Sequence, residues 1–247
     1  MLIPRISDLV TYPLKGARGN RVGLLQIDPK YGVLGDRRFA LKRKPTVPDT
    51  WSPKGMFFVG MNTPAMVAQG LCPTPQPDEE LSSAGVQWLQ RKLGLSEPPA
   101  VLDTQGRFNL TDSKDPYVSF LNLATLDQLS QEMGVELDPA RFRMNVLLEG
   151  LEPFEELSWI DKYPGSREIS FGGVRFRIED QCERCKAVEA NPETGIYDQP
   201  VLERLAAMME ERGFPPSPQR GKFEVMGVLA RPLTHGVLRI GDGIYFH

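Results

Sequence analysis

Residues 168–186, with the sequence EISFGGVRFRIEDQCERCK, carry a strong hairpin signal. Apolar and polar side chains alternate on both sides of Gly172-Gly173, as they do along strands that each have one buried face. Two glycines between alternating runs are typical of a tight β-turn, because such turns need positive φ values. The stretch therefore predicts a β-hairpin whose second strand leads into Cys182 and Cys185.

The segment after the hairpin concentrates unusual chemistry. It contains two of the three cysteines in the chain, and Cys185 stands between Arg184 and Lys186. Adjacent cations stabilise the charged form of a thiol, and the thiolate is the form that binds metals or attacks electrophiles. A turn-forming run, Asn-Pro-Glu-Thr-Gly, follows at residues 191–195. Cys185 is therefore the first candidate functional residue.

The Cys-x-x-Cys spacing alone leaves other kinds of site open. A structural zinc site needs four ligands, whereas Cys72, His235 and His247 each stand alone in the sequence. A thioredoxin-like redox pair normally precedes a helix, whereas the chain after Cys185 reads Ala-Val-Glu-Ala and then turns. The simplest alternative is a pair of buried cysteines that act as small apolar residues.

The sequence around this segment is rich in short strands and poor in helices. Asn122 is a suitable N-cap for the second helix, and Gly134 a suitable C-terminal stop. Many short strands with few helices predict an α+β, β-rich fold with a barrel-like core and peripheral helices. Strands are predicted at residues 5–12, 22–27, 39–42, 57–60, 117–122, 223–229, 236–240 and 244–246, and helices at 82–94, 124–133 and 200–212.

Residues 139–148 form a further alternating segment. Charged and apolar side chains alternate there, so the pattern predicts a strand with Arg141, Arg143 and Asn145 on one face. Two arginines and an amide on one strand face are typical either of a solvent-exposed face or of a site that holds an anion. The sequence does not decide between the two.

Two further cations stand in turns beside glycine. Lys15 follows the first predicted strand and precedes Gly16, and Arg37 follows Gly35-Asp36. A cation in such a loop is more often solvated than directed into a cleft. Composition favours the first interpretation for Lys15, and the second remains open.

Composition excludes several classes of partner. The chain has 247 residues, 40% of them hydrophobic and 25% charged, and a formal net charge of −3. Such a balance does not favour binding to nucleic acid or to anionic membranes. Three cysteines do not make a secreted disulfide framework, so we expect a cytoplasmic protein. The first residues lack a signal-length apolar run, and we expect no membrane-spanning segment.

A Pro-rich, acidic run at residues 72–80 is the strongest linker signal in the chain. It is followed by a predicted helix and then by Pro98-Pro99. We therefore predict two domains, residues 1–98 and residues 99–247.

Seven motifs, taken in order, make the sequence similar to MOSC proteins. The name refers to the C-terminal domain of molybdenum cofactor sulfurases. The similarity is greatest to the subgroup of mitochondrial amidoxime-reducing components and their bacterial relatives. It implies a MOSC-type β-barrel with peripheral helices, preceded by a smaller β-rich N-terminal MOSC domain. The motifs are YPLK (12–15), GDR (35–37), RFRMN (141–145), Glu156 with Trp159, CERC (182–185), PETG (192–195) and GVLRIGD (236–242).

This resemblance implies a role for individual residues. Cys185 would be the thiolate ligand of molybdenum, and Cys182 a neighbour that does not bind the metal. Lys15 and Arg37 would hold the phosphate of the molybdenum cofactor (Mo-molybdopterin). The other residues implied to line the cofactor are Arg143, Asn145, Arg141, Ser119, Asn122 and, by its charge, Arg184.

The implied activity is reduction of an N-hydroxylated or related N-oxygenated small molecule at an oxo-molybdenum centre. The alternative is a carrier of the molybdenum cofactor, or of persulfide sulfur on Cys185, without turnover. Three cysteines cannot supply the four ligands of an iron–sulfur cluster, so electrons would come from a separate donor protein. The sequence departs from the family pattern at Gly16, where many relatives have serine, and at Met144, where proline is usual.

Overall fold

A computed structural model describes residues 4–68, 83–160, 168–217 and 221–247 of the chain. The described part contains thirteen strands and three α-helices, joined by loops and short 3-10 turns. The strands are β1 (Arg5–Thr11), β2 (Asn20–Val22), β3 (Leu24–Asp28), β4 (Gly32–Val33), β5 (Phe39–Leu41), β6 (Val101–Asp103), β7 (Val118–Asn122), β8 (Val146–Glu149), β9 (Glu168–Phe171), β10 (Val174–Glu183), β11 (Val225–Pro232), β12 (Gly236–Arg239) and β13 (Ile244–Phe246). The helices are α1 (Ser83–Lys92), α2 (Leu123–Met133) and α3 (Val201–Glu211).

Eight strands form the main sheet, in the order β13-β9-β10-β11-β7-β8-β1-β2. Neighbouring strands are antiparallel except β7 and β8, which run parallel with α2 in their connection. The predicted hairpin is confirmed: Val174 pairs with Phe171, and Gly172 and Gly173 have φ values of 53° and 83°. The other strands form a three-stranded sheet, β12-β3-β4, and a β5-β6 pair.

The two ends of the main sheet approach each other. The backbone N–H of Ile6 donates to Asp242 O, and that of Ile244 donates to Pro4 O, which connects β1 with the segment leading into β13. The described strands nevertheless do not make a fully paired, closed barrel. The chain is β-rich with few helices, as predicted, whereas barrel closure stays a prediction.

The first strand does not lie apart from the C-terminal half of the chain. Strand β1 pairs with β8, and β3 pairs with β12. The division at residue 98 therefore stays a prediction about domains and does not separate the sheets. The predicted linker at residues 72–80, including Cys72, lies outside the described residues.

The caps predicted for α2 are present. Asn122 Oδ1 accepts a hydrogen bond of 3.0 Å from the backbone N–H of Ala124, and Gly134 ends the helix with φ 66°. A side-chain oxygen at the N-cap satisfies one of the donors that a helix leaves unpaired, and glycine adopts positive φ without a Cβ clash. These two residues explain where α2 begins and ends.

Aromatic side chains fill the centre of the main sheet. The rings of Phe120 and Phe171 stack at 5.6 Å between centroids, and Phe176 packs edge-on against Phe120 at 5.4 Å. All three are fully buried. Burying one such side chain stabilises a fold by about 1.5–3 kcal/mol, so this cluster fixes the strands that lead into the cysteine segment.

The strand predicted over residues 139–148 is wrong for its first seven residues. Pro139–Arg141 is a 3-10 turn that Asp138 caps, and the strand begins only at Val146. Arg143 has a φ of 54°, which extended backbone does not allow. The alternation of charged and apolar residues there arises from a turn, so Arg141, Arg143 and Asn145 do not share one strand face.

Helices of the described residues are all too short or too polar to cross a membrane.

Candidate functional site

Cys185 stands where the long strand β10 ends. The backbone N–H of Arg184 donates to Glu224 O at 2.7 Å, which holds the chain just before the cysteine. Cys185 then caps a short 3-10 turn, Lys186–Glu189. Its side chain is partly exposed, whereas Cys182 is buried. The thiol of Cys185 can therefore meet a ligand, and only Cys182 matches the alternative of a buried, apolar cysteine.

Arg184 lies among sulfur atoms and carbonyl groups. Its Nη1 is 2.8 Å from Cys182 Sγ and 3.6 Å from Met144 Sδ, and its Nη2 donates to Phe142 O. The Nε atom is buried and has no hydrogen-bond partner in the described structure. A buried donor without a partner costs stability unless a ligand or water fills the position.

Lys15 is buried, not solvated, so the solvated-loop interpretation of this residue is wrong. Its Nζ donates to Leu110 O and to Asp112 Oδ1, each at 2.6 Å. Burial lowers the pKa of Lys15, and Asp112 partly offsets that effect. The chain thus holds an ammonium group inside the protein, where a positive charge costs free energy unless anions surround it.

Tyr12 holds two arginines together. The guanidinium carbons of Arg143 and Arg37 lie 4.4 Å and 5.0 Å from the centre of its ring. Arg37 pairs with buried Asp36 and donates from Nη2 to Arg143 O at 3.2 Å. The pKa of Arg143 is lowered to about 10, mainly because the side chain is buried and also because the charge of Arg37 is near. Two like charges kept this close favour a bound anion.

Five cations gather around these groups, and we call them the cationic cluster: Lys15, Arg37, Lys54, Arg143 and Arg184. Lys15 and Lys54 both contact Asp112, on opposite carboxylate oxygens. Arg37 and Arg143 share the Tyr12 ring, and the charge of Arg184 also acts on that phenol. Within the described part of the chain, the carboxylates of this group are Asp36 and Asp112. Five cations against two carboxylates leave an excess of three positive charges.

The other predicted cofactor residues have partners within the fold. Arg141 forms an ion pair with Asp198, with 2.8 Å between Nη1 and Oδ1. Asn145 and Ser119 hydrogen-bond each other, with 2.9 Å between Ser119 Oγ and Asn145 Oδ1. Asn122 caps α2 and donates to buried Glu156 at 2.9 Å. Their roles toward a cofactor stay predictions, whereas their structural contacts are clear.

Sequence reasoning assigned no role to three residues near the cluster. Asp112 stands in an irregular loop, and Lys54 stands in a short 3-10 turn. Asp112 accepts from both Lys15 and Lys54, and this shared carboxylate brings Lys54 to the site. Tyr197 follows the Pro-Glu-Thr-Gly turn, and its hydroxyl donates to Gly60 O and Met61 O at 3.2 and 3.1 Å. A lysine between proline and glycine in a long loop was the one sequence signal available for Lys54.

A large, open cavity among the described residues lies beside the cluster. Its volume is about 1380 Å³, and Tyr12, Met144, Arg18 and Arg21 contribute to its walls. Its described lining does not include Cys185 or Lys15. Volume alone therefore does not locate the site, and the chemistry of the side chains does.

The MOSC domain model matches residues 106–245. A molybdenum cofactor sulfurase from Drosophila erecta is 27% identical over 151 residues, 58% of this chain and 18% of that protein. Mitochondrial amidoxime-reducing component 1 from Mus musculus is 28% identical over 148 residues, 59% of this chain and 40% of that protein. The crystal structure of the YUAD protein from Bacillus subtilis has 16% identity and a TM-score of 0.47, and the match covers 98% of this chain and 94% of that one.

This chain matches less than half of the length of the sulfurase and of the amidoxime-reducing component. The family model, in contrast, matches more than half of this chain and spans Arg143 and the cysteine segment. The chain belongs to the MOSC domain family.

Proposed function

We propose that this protein binds the molybdenum cofactor through Cys185 and reduces N-hydroxylated or related N-oxygenated small molecules. The observation that carries the proposal is the placement of a partly exposed thiol beside a cluster with an excess of three positive charges. A phosphate and a sulfur-rich pterin need such a combination of cations and a soft ligand. One relative is named as a molybdenum cofactor sulfurase and another as an amidoxime-reducing component, and these two names support the same assignment.

The side chains of the cluster fit the group chemically. Cys185 would supply the protein's sulfur ligand, since soft sulfur ligands suit a soft metal centre. Arg184 Nε is a buried donor that a ligand could satisfy, as no described residue does so. When bound, the molybdenum cofactor supplies two-electron redox chemistry, and the protein's part is binding and orientation.

Three cations of the cluster have separate tasks in this proposal. Lys15, which donates to Leu110 O and Asp112, would also donate to the phosphate, and Arg37 would supply a second cation for it. Arg143, fixed over the Tyr12 ring, would line the pterin. Lys15 and Arg37 come from the proposed domain 1–98 and Arg143 from the proposed domain 99–247, so the cofactor would lie where the two meet.

The partners follow from the same chemistry. The substrate is a small molecule that reaches the partly exposed Cys185 region, and a separate donor protein supplies the electrons. We place the protein in the cytoplasm, because three cysteines in 247 residues favour a reducing compartment. The net charge of −3 gives no general attraction to nucleic acid.

One experiment separates this enzyme from the alternative, a carrier of cofactor or persulfide sulfur. The purified protein is analysed for molybdenum, for cyanide-releasable sulfur and for reduction of an N-hydroxylated amidine by an artificial electron donor. We expect molybdenum close to one atom per chain, together with turnover. Molybdenum without turnover would identify a cofactor carrier. Releasable sulfur without molybdenum would identify a persulfide carrier, an alternative that fits the name of the sulfurase relative.

A further inference from the structure

Lys54 is the cation of the cluster that contacts Asp112 and also interacts electrostatically with Cys185. It lies in the 3-10 turn Lys54–Met56, and its Nζ is 3.1 Å from Asp112 Oδ2. The other oxygen of Asp112 accepts from Lys15. The exposed fraction is 5% for the Lys15 side chain and 26% for the Lys54 side chain. Lys54 is therefore the lysine of this pair that a solvent-borne molecule can reach.

The segment that follows Lys54 packs against the segment that follows Cys185. A Cβ on Gly60 would lie 3.1 Å from the Cβ of Ala187, two residues after Cys185. Tyr197 binds the carbonyl groups of Gly60 and Met61 and so fixes this contact. The loop that carries Lys54 therefore packs against the segment that begins at Cys185.

Electrostatics agree with this placement. Burial acts to lower the pKa of Lys54, but the charges of Asp112 and then Cys185 outweigh it, so that the pKa is raised. Burial raises the pKa of Tyr197, and the charge of the same thiol adds to that effect. Lys54 Nζ has three donor hydrogens, and Asp112 is its one hydrogen-bond partner among the described residues. Donor capacity therefore remains for a molecule that approaches the thiol.

We propose that Lys54 is a specificity-determining residue that selects anionic over neutral or cationic reactants at Cys185. In terms of the proposed function, on which this part rests, the preferred substrates are N-oxygenated compounds that carry a carboxylate or another oxyanion near the N–O group. Asp112 tunes this preference, because its carboxylate offsets part of the charge of Lys54. Arg184 and Lys186, which flank Cys185 in sequence, are present in every Lys54 variant, so a difference between these variants reports on Lys54.

The first test uses Cys185 as its own reporter. Full-length protein from cells that make no molybdopterin is alkylated with iodoacetate or with iodoacetamide. In each reaction the thiolate sulfur displaces iodide and forms a C–S bond, and mass spectrometry quantifies the product at Cys185. The ratio of the two rates reports the local charge, because a change in the thiolate fraction affects both reagents equally.

We expect Lys54→Met to lower the iodoacetate-to-iodoacetamide ratio about three- to tenfold, because the variant removes one positive charge that interacts with the Cys185 thiol. Asp112→Asn should shift the ratio in the opposite direction, by at least about twofold. Lys54→Arg, which keeps the charge, and Lys30→Met, which removes an exposed lysine of the β3–β4 turn, should leave the ratio unchanged. An unchanged ratio in Lys54→Met overturns the inference.

The second test uses protein loaded with molybdenum. We expect Lys54→Met to lower, about fivefold, the ratio of kcat/KM for a 4-carboxylated N-hydroxybenzamidine to kcat/KM for the unsubstituted compound, with both rates measured per bound molybdenum. If the alkylation ratio falls but the wild type binds no molybdenum, the proposed function fails and the role of Lys54 stands. If the wild type is active but the ratio and the carboxylate preference do not change, the role of Lys54 fails and the proposed function stands.

Discussion

The guanidinium carbon of Arg143 lies 4.4 Å from the centre of the Tyr12 ring, in a position where φ is 54°. Burial and the neighbouring Arg37 lower the pKa of Arg143, so the folded protein holds this cation at a cost. Residues kept in costly conformations and charge states are common at functional sites. The arrangement therefore favours a role for Arg143 in binding over a role in stability.

Arg143→Met tests that distinction. Methionine keeps much of the length and removes a costly buried charge, but it also loses the contact with the Tyr12 ring. We therefore expect the free energy of unfolding to change by less than about 1 kcal/mol in either direction. Molybdenum content should fall at least tenfold. Urea unfolding and metal analysis of the same preparation measure both. A variant that loses more than about 1.5 kcal/mol and keeps its molybdenum would assign Arg143 to the fold alone.

Tyr12 offers a paired test of the ring and its hydroxyl. The hydroxyl donates to Met144 O at 3.2 Å, and burial raises the pKa of Tyr12 to about 12, so the group is protonated at neutral pH. Tyr12→Phe should lower the free energy of unfolding by about 1 kcal/mol, and Tyr12→Leu by about 2–4 kcal/mol, since leucine also loses both cation–π contacts. Equal losses in the two variants would show that the ring faces contribute nothing.

Glu156 should make stability depend on pH. Burial raises its pKa from 4.5 to about 7, although Asn122 and Thr125 both donate to the carboxylate. The folded state therefore binds this proton more tightly than the unfolded state, and the free energy of unfolding falls as pH rises from about 4.5 to about 7. The fall amounts to roughly 3 kcal/mol at most.

The neutral variant Glu156→Gln removes the pH-dependent contribution of this carboxyl group to stability. Its free energy of unfolding, measured in urea between pH 5 and 8, should decline less steeply than that of the wild type. Above pH 7 the difference between the two proteins should become constant. Parallel curves over the whole range would mean that the carboxyl group titrates normally.

Gly227 is a position in β11 where only glycine fits. Its φ is 75°, and a Cβ there would overlap the carbonyl oxygen of Phe120 on the neighbouring strand β7. Gly227→Ala should cost about 3 kcal/mol or more, because backbone strain and a clash add together. Gly173→Ala is the matched control, with φ 83° in open space, and should cost about 1 kcal/mol. Thermal unfolding measures the stability of both variants. Similar losses in the two would contradict the predicted clash at Gly227.

The local signals of the sequence predicted local structure well. The Gly172-Gly173 turn, the caps of α2 at Asn122 and Gly134, and the strand leading to Cys185 are all set by neighbours in sequence. The strand predicted around Arg143 is wrong because charge alternation can arise in a turn as well as in a strand.

Long-range contacts limited what the sequence could say about the site. The burial of Lys15 depends on Leu110 and Asp112, almost a hundred residues away. Lys54 reaches the cluster through the same carboxylate. A loop composition carries no information about such partners, so the solvated and the buried interpretations of a loop lysine cannot be separated before the fold is known.

The most direct test of the account is the molybdenum content of two single-cysteine variants. Cys185→Ala removes the proposed ligand, whereas Cys182→Ala removes the buried neighbour three residues earlier in the sequence. We expect Cys182→Ala to keep most of its molybdenum and its reductase activity, and Cys185→Ala to lose both while remaining folded. A folded Cys185→Ala protein that retains stoichiometric molybdenum and reduces an N-hydroxylated amidine would contradict the account.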